Sequence, residues 1–322
     1  MSQFIEIANK QGLTAYLLPF GATLAKLTFP DKSGKTRDLV LGFDTLDDFK
    51  KDTASMGKTV GRVANRVKDA TLEFDGKVYE LEKNNGAHFL HSGKNGLGMK
   101  TWEVVRHAPQ SVSFSVRANE SEDGLPGDAK VDVTYIVNDR NQLIIEHYAT
   151  CQTAGVLALT NHAYWNLDGS PTVADHCLEV DSEEYVEIDD TGCPTGAIRP
   201  SAGTPFDFRV ARKIGDAREL DNDLVLAKSG SPRTSSEPHL KMWSETSGIE
   251  LSITTSYPTI HLYASKWLDA VGKGAEHYGA LKALAIEPQF HSAAPNYSNF
   301  PDVSLRPGDR YCQEIVYTFS HI

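Results

Sequence analysis

The run Thr160-Asn161-His162-Ala163-Tyr164-Trp165-Asn166-Leu167 sets an imidazole among amides and aromatic rings. Amides bond hydroxyls, aromatic faces lie against C–H surfaces, and histidine exchanges a proton near neutral pH, so this mixture suits proton transfer on a sugar. Such chemistry needs a partner base. Glu287 in Ala285-Ile286-Glu287-Pro288-Gln289-Phe290 is the candidate, a carboxylate that follows a short apolar run and precedes proline and an aromatic ring. The competing reading is a hydrogen-bonded core histidine, the commoner use of a histidine among aromatics. Two further polar clusters accompany the pair. Gly61-Arg62-Val63-Ala64-Asn65-Arg66-Val67 carries two guanidiniums and an amide able to bond several hydroxyls, and Asn84-Asn85-Gly86-Ala87-His88-Phe89-Leu90-His91-Ser92-Gly93 gathers amides and imidazoles in a loop. Each alone also fits surface arginines or an ordinary turn.

Other chemistries are excluded by spacing. Gly34-Lys35-Thr36 and Gly57-Lys58-Thr59 lack the glycine five positions earlier that a phosphate loop requires, since Phe29 and Asp52 stand there. There is no G-x-S-x-G elbow, and Gly93, Gly96 and Gly98 do not form a dinucleotide fingerprint. His88 and His91 are three apart with no obvious third ligand, so no metal site is expected. With 43 acidic and 32 basic residues, the formal charge of −11 opposes nucleic acids and anionic membranes. No basic leader and no apolar run of roughly 18 residues is seen, which leads to the expectation of a cytoplasmic protein. The scattered Cys151, Cys177, Cys193 and Cys312 then read as reduced thiols, and the sequons at Asn119 and Asn296 as unmodified.

The elements that must position these residues read as strands. Val112, Phe114 and Val116 alternate with serines; Val131, Val133, Tyr135 and Val137 alternate with Asp132, Thr134 and Ile136; Ile249, Leu251 and Ile253 repeat the pattern. Asp75-Gly76 between Thr71-Leu72-Glu73-Phe74 and Lys77-Val78-Tyr79-Glu80-Leu81 predicts a hairpin with a type I′ turn. Only short helices are expected, around Thr45–Lys51, Val210–Glu219 and Gly279–Ala283, with no βαβ alternation, so the fold class is an all-β sandwich. No internal repeat or interdomain linker appears, which gives one domain over residues 1–322. The polar run Lys228–Pro238 reads as a surface loop that could border the site.

In this order the clusters resemble the aldose 1-epimerase, or galactose mutarotase, family. The matching pieces are Gly61–Arg66, Asn84–Gly93, Thr160–Leu167, Pro194-Thr195-Gly196, Gly203–Arg209, Glu287-Pro288-Gln289 and Leu305–Asp309. The resemblance implies a large antiparallel β-sandwich with one monosaccharide, such as galactose or glucose, on its open face. It makes Glu287 the general base and His162 the general acid, with Asn65, Arg66, His91, Tyr164, Asp221 and His261 around the sugar. Asp223 competes with Asp221, because residues two apart on an extended segment point the same way; the resemblance favours Asp221 as the clamp, and Asp223, if solvent exposed, should matter little. Ser92 stands where the family has a second glycine, and His261 where it has a glutamine.

The chemistry follows without the family. A hemiacetal opens when a base takes the anomeric proton while an acid protonates the ring oxygen; rotation about C1–C2 and reclosure invert the anomeric centre. No metal or redox cofactor is required. Because the groups reverse roles on closing, the reaction is best served if burial brings Glu287 and His162 towards neutrality from about 4.3 and about 6.5. Alternatives are a hexose-6-phosphate mutarotase, which needs a basic pocket, and a noncatalytic sugar-binding or regulatory protein, which needs neither acid nor base. A monomer or weak homodimer is expected, with no nucleic-acid or membrane partner implied.

Overall fold

Period-two alternation becomes a nine-stranded antiparallel sheet in the computed structural model, which describes residues 4–226 and 237–322. Its central strands are Ser111–Ala118, Ala129–Asn138, Gln142–Cys151, Tyr311–His321 and Ile249–Thr255, hydrogen-bonded in that order. Along Ala129–Asn138 every second side chain is buried. The inward set Val131, Val133, Tyr135 and Val137 therefore joins one core, while Asp132 and Thr134 remain partly wet.

A six-stranded antiparallel sheet packs over that core, ordered Tyr164–Trp165, Leu284–Gln289, Thr259–Tyr263, Asp221–Leu226, Ser182–Ile188 and Pro194–Pro200. A further four-stranded sheet is built from Ile5–Ala8, Thr14–Leu18, Thr23–Pro30 and Thr36–Asp38. On the six-stranded sheet Leu224, Ile260, Leu262, Leu284 and Ile286 face the shared core. Their neighbours in the chain, among them Asp223, His261 and Glu287, face the other way. This second face is also covered: all six residues of Leu284–Gln289 are buried. That double burial is why the segment around Glu287 reads as a plain apolar run with a lone carboxylate.

The Asp75-Gly76 hairpin forms as read, with φ of 50° and 75° and Phe74 paired to Lys77. A short helix, Leu46–Lys51, starts where expected, capped by the Thr45 hydroxyl, which accepts from the Asp48 amide. The other two expected helices do not form. Within Val210–Glu219 the pair Arg212–Lys213 is instead an edge strand hydrogen-bonded to Cys177–Val180. Gly279–Ala283 is a turn in which Leu281 takes φ of 61°. Segments this short are marginal as helices on propensity alone, so tertiary pairing decides which of them form. The second short helix is Glu120–Asp123.

Candidate active site

Three neighbouring strands set the floor of the site. Register places Asp223 opposite His261, and His261 opposite Glu287. Cross-strand partners lie within contact distance, so the three titratable groups form a row on one face. His162 arrives from the short link between Thr160–Asn161 and Tyr164–Trp165. Its backbone is fixed by its amide donating to Lys58 O (2.9 Å) and its carbonyl accepting from Gly57 N (2.8 Å). The His162 Nε2 then sits 3.3 Å from Glu287 Oε1.

Burial governs both groups. Glu287 is 1 % exposed and His162 4 %. Loss of water pushes the carboxyl up to about 8, the His261 charge opposing this in part. The same loss of water, with the nearby His261 charge, brings the imidazole down to about 3. Glu287 has moved in the direction the reaction favours, whereas His162 has moved away from neutrality. At neutral pH the pair thus holds one proton, resident on Glu287. The remaining atoms, Glu287 Oε2 and His162 Nδ1, are buried without a protein partner.

Around this pair a cavity of about 480 Å³ brings together all eight residues expected at the site: Glu287, His162, Asn65, Arg66, His91, Tyr164, Asp221 and His261. Its volume lies within the range of small-molecule sites. Tyr164 stacks on His162 with ring centroids 4.9 Å apart and donates its hydroxyl to Ala54 O. His91 meets His162 edge-on at 5.2 Å. Because His91 Nδ1 accepts from the backbone N–H of Asn65 (3.2 Å), its Nε2 carries the proton, and desolvation keeps the ring neutral. Asn65 and His91 both hold left-handed backbone, φ 60° and 54°, cross-braced by a bond from His91 N to Asn65 O. Ser92 follows at φ 60°, a conformation free to glycine; here its hydroxyl offsets the strain by bonding both the N–H and the carbonyl of Val63.

The two arginines of the Gly61–Arg66 cluster diverge. Arg66 reaches the cavity, donating to Asn85 Oδ1 (3.1 Å) and lying 3.8 Å from Asp221 Oδ2. Arg62 is buried in an ion pair with Asp123 and bonds three carbonyls of the turn 125–127. Its charge is consumed in the fold. His88 is likewise structural: its Nδ1 accepts from Asp69 N and its Nε2 bonds Thr191, so it does not converge with His91.

The two aspartates do point the same way, both to His261, yet their depths differ. Asp221 keeps 21 % side-chain exposure and lines the cavity. Asp223 is only 2 % exposed, so the condition under which it would matter little is not met. Its carboxylate accepts from Ser292 N (2.6 Å), Ser292 Oγ (3.0 Å), Gln289 Nε2 (3.2 Å) and His261 Nδ1 (2.8 Å). The loop that follows Glu287 closes over it, a long-range contact that strand alternation does not encode.

Sequence reasoning missed the apolar wall: Phe43, Tyr263, Leu268 and Trp267, the last 74 % exposed. The one available signal was an isolated tryptophan in a polar turn, Ser265-Lys266-Trp267. Of the Lys228–Pro238 run, residues 228–236 lie outside the described residues; Glu237 and Pro238 line a different cavity with Arg209 and Lys241.

Comparison with known proteins adds the following. The family model described as aldose 1-epimerase matches residues 3–318. The aldose 1-epimerase of Escherichia coli (strain K12) is 29 % identical, covering 98 % of this chain and 95 % of its own, and the galactose mutarotase of Sus scrofa is 32 % identical, covering 94 % and 90 %. Among solved structures, the GalM/aldose epimerase homologue from C. elegans is 71 % identical with a TM-score of 0.95 and full coverage of both chains. Galactose 1-epimerase from Lactobacillus acidophilus, at 23 % identity, shares the fold, with a TM-score of 0.85 over 99 % of this chain and 94 % of its own.

Proposed function

From the premise that this chain belongs to the aldose 1-epimerase family, and is an isomerase that interconverts sugar anomers, we propose that Glu287 and His162 are its base and acid and that galactose or glucose is its substrate. The observation that carries the assignment is the buried 3.3 Å contact of a carboxyl and an imidazole, where loss of water favours the uncharged form of each. To open the ring, Glu287 as carboxylate takes the anomeric proton while His162 as imidazolium protonates the ring oxygen. After rotation, neutral His162 takes the proton back and the Glu287 carboxyl returns one to O1. Opening and closing thus start from the two placements of one proton. The free protein holds the placement that closing requires, and the proton crosses the short gap between them before opening. Arg66, His91, Asp221 and Tyr164 are proposed to orient hydroxyls, with Asn65 bracing His91. The same reading treats residues 1–322 as one domain, supported by a family match over residues 3–318 and a site drawing on positions from 65 to 287.

Polarimetry of freshly dissolved α-D-galactose and α-D-glucose tests the reading: faster approach to equilibrium with the protein supports it, and rates equal to buffer overturn it. The pH profile adds a sharper test. Above about 8 the pair loses its proton and keeps a base without an acid. We expect kcat/KM to be level through neutrality and to fall about tenfold per unit above that point. A rate that climbs through pH 9 would contradict the single-proton pair.

Asp221→Asn is expected to lower kcat/KM by about 10-fold to 150-fold, the worth of a charged hydrogen bond of about 1.5–3 kcal/mol. Asp223→Asn acts on the fold as well: removal of a buried four-bond acceptor should lower unfolding free energy by about 1–3 kcal/mol, read from urea midpoints. If Asp221→Asn turned over both sugars like the parent, Asp221 would not be a sugar ligand.

Two alternatives fare less well. A sugar phosphate would meet Asp48, Asp52, Asp221 and Asp269 in the cavity wall against the cations Lys51 and Arg66, since Arg62 is consumed in its pair with Asp123. A binding-only role leaves the buried acid and base unexplained.

A further inference from the structure

We propose that His261 is a permanently cationic positioning residue, an imidazolium buckled between Asp221 and Asp223 that presents the free oxygen of Asp221 to the sugar and keeps a positive charge beside Glu287. The inference rests on the roles given above to Asp221 and Glu287. It reassigns His261 from sugar ligand to support for the groups that touch sugar.

Hydrogen-bond logic carries the argument. His261 Nδ1 lies 2.8 Å from Asp223 Oδ1, and Nε2 lies 2.9 Å from Asp221 Oδ1. The Asp223 carboxylate already accepts from the Ser292 amide at Oδ2 and from the Ser292 hydroxyl and Gln289 at Oδ1, so it is ionised and accepts at Oδ1 from His261 too. Asp221, with the Arg66 guanidinium 3.8 Å from its other oxygen and its side chain 21 % exposed to the cavity, is a carboxylate as well. An ionised carboxylate has no proton to give, so both ring nitrogens of His261 must donate. A neutral ring would instead set a lone pair against a carboxylate oxygen at under 3 Å, in a place 4 % exposed. Asn65 Nδ2 lies 3.5 Å from both ring nitrogens, and with both N–H groups engaged neither nitrogen has a lone pair to offer it. Although desolvation opposes the charge, the two carboxylates take His261 up to about 10.

The charge has two uses. Asp221, Asp223, His261 and Arg66 sum to zero, so a pair of aspartates is tolerated beside a catalytic carboxylate. The bond to Asp221 Oδ1 also leaves Oδ2 for Arg66 and a hydroxyl. The groups facing His261 are Asp221 and Asp223 from one neighbouring strand, Glu287 from the other, and Asn65, His91 and His162 from the loops above. Without the cation, the aspartates bear on Glu287 unopposed and strengthen its hold on its proton.

The test uses the full chain labelled with ¹⁵N-histidine. At pH 8.5 one histidine, lost from the spectrum in His261→Gln, should have both ring nitrogens protonated; a neutral tautomer for His261 overturns the proposal. In His261→Gln the alkaline fall of kcat/KM should move up by about one pH unit or more, with KM raised about tenfold. A purely structural histidine would change stability or amplitude and leave the limb in place, which would also overturn it. If His261→Gln does not fold, the spectrum of the parent chain decides, with His261 assigned by through-bond correlations. Full activity in Glu287→Gln would sink the site reading, while the spectrum would still report the charge on His261.

Discussion

Glu287→Gln should fold as the parent does and lose about 10²–10⁴-fold in kcat, with sugar affinity largely kept. The amide matches the carboxyl in shape but cannot accept the anomeric proton. Folding is not at risk, because burial already favours the uncharged carboxyl, which glutamine imitates. This yields a second signature. The folded carboxyl is raised from 4.5 to about 8, so its contribution to stability is complete below about 4.5 and is lost as pH rises through about 8. The variant lacks that loss. Thermal melts at pH 5 and pH 8.5 should therefore show Glu287→Gln gaining on the parent at the higher pH. Retention of more than about a tenth of the parent kcat, well short of the loss expected for a general base, would remove Glu287 from that role.

His162→Asn is expected to cost a similar factor in kcat, again about 10²–10⁴-fold, with a small change in KM. Asparagine can bond an oxygen but does not exchange a proton near neutrality. It also removes the ring that stacks on Tyr164 and meets His91, so some loss of stability accompanies it. The split between constants is the measurement that matters. A change in KM alone would make His162 a sugar ligand. In the double variant with Glu287→Gln the losses should be far from additive, because one proton is shared and removal of either partner already stops its transfer.

What the sequence determined by itself was the burial pattern of the long strands and the tight hairpin, but not the short helices. Alternation of Val131, Val133, Tyr135 and Val137 fixes which face of a strand is buried, because side chains on an extended chain change sides at every residue. Asp75-Gly76 fixes a hairpin, because both turn positions need positive φ. The site residues were legible as ordered clusters resembling one family, and Glu287 and His162 also as a residue pair able to move protons. What only the tertiary structure decided was the environment of each group. Arg62 and Arg66 are four apart and alike in sequence, but Asp123 captures one and the cavity receives the other. Asp221 and Asp223 share a face, and Ser292 closing over the second separates ligand from scaffold. His261 gains its charge from those two carboxylates, while Glu287 and His162 gain their shared proton from burial. In each case the controlling partner lies tens to hundreds of residues away, and proton affinity depends on distance and exposure to water, which residue order does not specify.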